Sequence, residues 1–93
     1  MKKNKSALVD VLHETLGVTK ADAERGMEAL ISTIINTLKE GGEVTIAGLG
    51  AFSVRDRAAR MARNPRTGEP IQVPAMRVPK FRAAKALKEA VRS

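Results

Sequence analysis

The chain has 93 residues, no cysteine, a single histidine and a formal net charge of +7. That length makes one domain with little core material to spare, and the missing thiols exclude disulfides and thiolate metal sites. The charge is segregated: residues 1–47 carry six Lys/Arg against seven Asp/Glu and residues 48–93 eleven against three, which points to a polyanion facing one part of the molecule.

Asn4 is placed to cap a first helix whose apolar stripe is Leu8, Val11, Leu12 and Leu16, with Gly17 as its stop. Thr19 caps a second helix and puts Asp22 and Glu24 near its positive end. Met27, Leu30, Ile31, Ile34, Ile35 and Leu38 give this helix an apolar face wider than the first helix can cover, so a second copy of the chain is expected against it. Gly26 inside it costs about 1 kcal/mol relative to alanine, a cost that close approach of another helix would justify. Gly41-Gly42 ends the helix.

The period then changes from 3.6 to 2. "EVTIAG" reads as a strand, "LG" as a tight turn and "AFSVRDR" as a second strand, with Phe52 and Val54 on one face and Ser53, Arg55 and Arg57 on the other. A hairpin runs out and back over residues 56–76, its tip near Asn64–Gly68, and "PIQVPAMRVP" is the return strand. A last helix is expected over "KFRAAKALKEAV", with Phe81, Ala84, Leu87, Ala90 and Val91 facing inward. The fold class is α+β: two N-terminal helices (the dimerisation part, 1–42), then a three-stranded antiparallel sheet with a β-ribbon arm and a C-terminal helix (43–93).

Proline survives in a sheet only where its nitrogen faces outward. Pro70 and Pro74 stand four apart and so share one edge, as on an isolated ribbon, where they also discourage edge-to-edge association. Roughly ten residues per strand at about 3.3 Å each give an arm of about 25–30 Å. Arg55, Arg57, Arg60, Arg63 and Arg66 line it with only Asp56 and Glu69 between them, so a merely solvated charged face explains the run poorly. Lys80, Arg82, Lys85 and Lys88 continue the cationic track around the last helix, and Arg77 joins it on the return strand.

Other classes fit less well. No apolar run approaches the ~18 residues of a membrane span, and the cationic half has no amphipathic helix with bulky anchors. "MKKNKSALVD" has a basic start without an apolar segment after it, so it does not read as a signal peptide, and a cytoplasmic location is expected. His13, read as a solvent-side residue of the first helix, has no second histidine and no cysteine to make a metal site. No nucleophile–base pair and no phosphate-cradling glycine loop can be assembled, so no enzyme, cofactor or small-molecule substrate is expected.

"GLGAFSVRDRAARMARNPRTGEPIQVPAMRVPKF" resembles the signature region of the HU/integration host factor family of bacterial histone-like proteins, and the similarity extends from "KSALVDVLHE" through "KALKEAV". The resemblance implies two chains intertwined into one body, with two ribbon arms embracing double-stranded DNA through its minor groove. It puts Pro65 at the position that wedges between base pairs, and Lys5 near the DNA-facing surface. Asn64 and Thr67 would add hydrogen bonds to sugar or base edges.

The implied function is a nucleoid-associated architectural protein of the HU branch, a homodimer that bends and compacts DNA with little sequence preference. A sequence-preferring subunit like integration host factor and an RNA-binding basic protein are the alternatives. The chain departs from the family pattern at Leu49 (usually Phe), Met61-Ala62 (usually Lys/Arg-Gly) and Ala83-Ala84 (often Pro-Gly). These departures bear on stability and arm mobility and leave Pro65 and the arginines intact.

Overall fold

A computed structural model describes residues 1–92. Its elements are α1 (Lys5–Leu16), α2 (Lys20–Lys39), β1 (Val44–Ile46), β2 (Gly50–Arg57), β3 (Arg60–Arg63), β4 (Pro70–Val73), β5 (Met76–Ala83) and α3 (Lys85–Arg92). They fall into two compact units, Met1–Asn36 and the chain from Thr37 on.

In the first unit the helix ends are set by local chemistry. Asn4 Oδ1 accepts from the Ala7 N–H at 3.1 Å, and Gly17, at φ 69°, donates its N–H to the His13 carbonyl. Thr19 Oγ1 accepts from the Asp22 N–H at 3.1 Å, and Asp22 is the one acidic residue in the first turn of α2, with Glu24 beyond it. One expectation needs correction. His13 is not a solvent-side residue: it is half-buried, and its Nδ1–H donates to the Val18 carbonyl, bracing the turn between the helices. Within one chain the buried positions of this unit are Val9 and Ala23, and Leu12 of the α1 stripe is half-buried. Leu8, Val11, Leu16, Leu30, Ile31 and Ile35 are exposed, Leu16 at 63% and Leu30 at 59%.

In the second unit two antiparallel sheets follow one another, β1-β2-β5 and β3-β4. Phe52 pairs with Phe81 and with Val44, and the two rings meet at 4.9 Å, so Val44, Phe52, Val54 and Phe81 form the apolar face. Gly50 is buried opposite Ala83 of β5. A Cβ there would lie 2.5 Å from the Arg82 carbonyl oxygen and 2.6 Å from the Phe81 ring. The tight turn sits two residues earlier than the sequence suggested. Leu49 N–H donates to the Ile46 carbonyl, and Gly48, at φ 84°, supplies the left-handed residue.

The two long strands are each interrupted, at Ala58-Ala59 and at Pro74-Ala75, which separates β3-β4 from the larger sheet. The expected helix from Lys80 starts later. Phe81 and Arg82 remain in β5, and α3 begins at Lys85, with Ala84 linked back to the Leu49 carbonyl at 3.0 Å. Pairing along eight register positions and the Phe52–Phe81 contact override a helix-favouring composition. Leu87 is half-buried, whereas Ala90 and Val91, expected to face inward, are exposed.

Candidate nucleic-acid interface

The register of β2 and β5 sorts the basic residues by face, since directly opposed residues point to the same side. Ala51, Ser53, Arg55 and Arg57 stand opposite Arg82, Lys80, Val78 and Met76. Arg55, Arg57, Lys80 and Arg82 therefore share the face that turns away from Phe52 and Phe81. Two of these four, Lys80 and Arg82, were assigned to a helix; the strand brings them beside Arg55 instead. In β3, Arg60 is opposite Val73 and Arg63 opposite Pro70. Being three apart, Arg60 and Arg63 leave the ribbon on opposite faces.

Among the described residues none of Arg55, Arg57, Arg60, Arg63, Arg66, Lys80, Arg82 and Lys88 has a carboxylate within salt-bridge distance. The ion pairs fall on other expected site residues. Lys5 Nζ lies 3.7 Å from Glu28, Lys85 Nζ 3.9 Å from Glu89, and Arg77 Nε 3.1 Å from Asp56. The single exposed pairs of Lys5 and Lys85 contribute little to stability and are readily exchanged for another anion. An uncompensated cationic face of this kind attracts polyanions in general.

The ribbon tip is a closed turn. Asn64 N–H donates to the Glu69 carbonyl at 2.9 Å and Gly68 N–H to the Asn64 carbonyl at 2.8 Å, with Gly68 at φ 73°. Asn64 Oδ1 accepts from the Arg66 N–H at 2.9 Å, and Thr67 Oγ1 from the Glu69 N–H at 3.3 Å. The oxygens of Asn64 and Thr67 are thus spent on the turn, leaving their donors for an external partner. Pro65 and Arg66 are exposed at the apex of this braced structure.

Arg77 departs from the expected set. It pairs in register with Asp56 on the Phe52–Phe81 face, away from Arg55 and Lys80. Counting back in twos from Phe81 through Pro79 was the signal in the sequence that places it there.

Residues 3–92 match the family described as bacterial DNA-binding protein. The chain is 48% identical over 88 residues to DNA-binding protein HU-beta of Escherichia coli K12, covering 95% of this chain and 98% of that one. It is 45% identical over 89 residues to DNA-binding protein HU of Geobacillus stearothermophilus, covering 96% and 99%. Among solved structures, it is similar to Anabaena HU in a cocrystal with DNA, at a TM-score of 0.83 and 44% identity over 96% of this chain and 97% of that one.

Proposed function

This chain belongs to the HU family of bacterial DNA-binding proteins, and from that premise we propose how it handles DNA. It is an HU-like, DNA-binding architectural protein of low sequence specificity, and not an enzyme. In our reading the chain is a single domain that works as a homodimer in the bacterial nucleoid. The Arg55, Arg57, Lys80 and Arg82 face receives the duplex backbone, and the β3-β4 ribbon lies along the minor groove. Lys5, Lys85 and Lys88 add phosphate contacts at the edges, and Pro65 enters a base step and bends the duplex.

The unpaired cations of one sheet face, continued along the ribbon, carry this reading. Phosphate neutralisation is the sequence-independent part of DNA affinity, and contacts of this kind position a protein without reading bases. Arg60 and Arg63, on opposite faces, can reach phosphates on both walls of a groove only if the ribbon lies inside it. A narrow, electronegative minor groove attracts such guanidinium groups. Pro65 is a rigid, donor-free ring on a braced turn, suited to unstacking a step at a few kcal/mol in return for wrapping contacts. Homodimerisation is supported by the bare apolar faces of α1 and α2, for which one chain buries only Val9 and Ala23.

A salt titration of binding to matched linear, nicked and four-way-junction DNAs, with duplex RNA alongside, tests the proposal. Steep salt dependence, similar affinity for unrelated linear sequences and preference for the nicked and junction forms are expected. Equal binding to duplex RNA, whose minor groove is wide and shallow, would refute the minor-groove reading. The relatives reported above are HU proteins, which favours low specificity over a sequence-preferring subunit.

A further inference from the structure

Arg77 stands apart from the other basic residues of the sheet. Its Nε–H donates to Asp56 Oδ1 at 3.1 Å and its Nη1–H to the Lys39 carbonyl at 3.0 Å. Lys39 is the last residue of α2, and its final turn belongs to the same compact unit as the sheet. A helix end leaves its last carbonyls without intrahelical partners. Here Gly41 N–H takes the Leu38 carbonyl and Gly42 N–H the Thr37 carbonyl, and Arg77 takes that of Lys39. A cation at this point also meets the negative end of the helix dipole.

The position along the strands matters as much. Asp56↔Arg77 is one register pair short of Arg57↔Met76, where the larger ladder ends and the two-residue interruptions begin. A guanidinium is a planar fork, so two donors bound in different directions fix its plane. To hold a phosphate on the Arg55–Lys80 face, Arg77 would have to leave both partners and cross the sheet.

We infer that Arg77 takes no phosphate and is a positioning residue: with Asp56 and the Lys39 carbonyl it latches the root of the β3-β4 ribbon to the last turn of α2. The inference rests on the DNA-bending reading above, because a fixed root matters to an arm that must aim its tip at a base step. The latch holds the inner side of the interruption and leaves the ribbon free to pivot beyond it.

Arg77→Gln, Asp56→Asn and the double variant test this in the full chain. Hydrogen exchange of residues 56–60 and 75–77 in the free protein reads the latch, the slope of log K against log salt on a linear duplex counts phosphate contacts, and fluorescence transfer across a short duplex reads the bend. Arg77→Gln should speed exchange several-fold, Asp56→Asn less because the Lys39 carbonyl bond remains, and the double variant no more than Arg77→Gln alone. Both single variants should bend DNA less while holding the slope within about 0.3 of the parent. The inference is overturned if Arg77→Gln lowers the slope by about one per chain, or leaves exchange unchanged. It is equally overturned if Asp56→Asn, by freeing Arg77, tightens binding. Should the parent itself fail to bind DNA, the functional reading fails, and the exchange measurement still judges the latch on its own.

Discussion

Removing Arg60 and Arg63 from the ribbon should flatten the salt dependence of DNA binding by an amount that the structure lets us state. Neither guanidinium has a carboxylate within salt-bridge distance among the described residues, so each is free to displace a counterion from DNA. In the proposed homodimer, two arginines in each of two arms would make four phosphate contacts, and at about 0.9 per contact the slope should fall by about 3.6. Between about 50 and 200 mM salt that is a relative change of roughly 150-fold in the affinity deficit. The double variant Arg60→Ala/Arg63→Ala should bind far more weakly than the parent at low salt and approach it as salt rises. Fluorescence anisotropy on three unrelated duplexes at four or more salt concentrations measures this. The three sequences should lose affinity alike, since these are backbone contacts. A slope changed by less than about one unit would mean that the ribbon does not sit on phosphates, and a loss confined to one sequence would mean that it reads bases.

Dimerisation should appear as a melting temperature that rises with protein concentration, by about 3–5 °C per tenfold for a dimer of this size; sedimentation showing a stable folded monomer would sink the idea. Gly50→Ala should destabilise the fold by about 1–3 kcal/mol or more, because the new methyl meets the Arg82 backbone and the Phe81 ring at 2.5–2.6 Å. Urea denaturation checks this, and a change below about 0.5 kcal/mol would show that β2 and β5 separate easily there.

The sequence was legible wherever a local rule was sufficient. Asn4, Gly17 and Thr19 cap their helices as side-chain and backbone chemistry requires, and the Asn64–Gly68 turn lies where turn residues cluster. It was less legible where partners distant in sequence decide. Phe81 and Arg82 have good helix-forming neighbours, yet pairing with Phe52 and Ala51 keeps them in a strand. That register then moves Lys80 and Arg82 onto the Arg55 face. Arg77 was placed among the DNA-binding residues without its side of the sheet. Its side depends on strand parity, and its partners, Asp56 and the Lys39 carbonyl, lie 21 and 38 residues away. His13 was misplaced because the Val18 carbonyl it serves becomes available only after Gly17 turns the chain. The apolar stripes of α1 and α2 were found as stripes, but what covers them is not within one chain.

Insertion of Pro65 from the ribbon tip, the proposed cause of the bend, is open to one decisive measurement. A short duplex labelled at both ends reports bending as increased fluorescence transfer when protein is added, at a concentration where all duplex is bound. The parent should raise transfer strongly. Pro65→Ala should bind with a similar salt slope, since every arginine remains, and should melt within about 0.5 kcal/mol of the parent because the tip is exposed. It should nonetheless raise transfer much less and lose the preference for nicked DNA, where unstacking is already partly complete. If Pro65→Ala bends the duplex as far as the parent does, Pro65 is only a turn residue and the wedge mechanism is wrong.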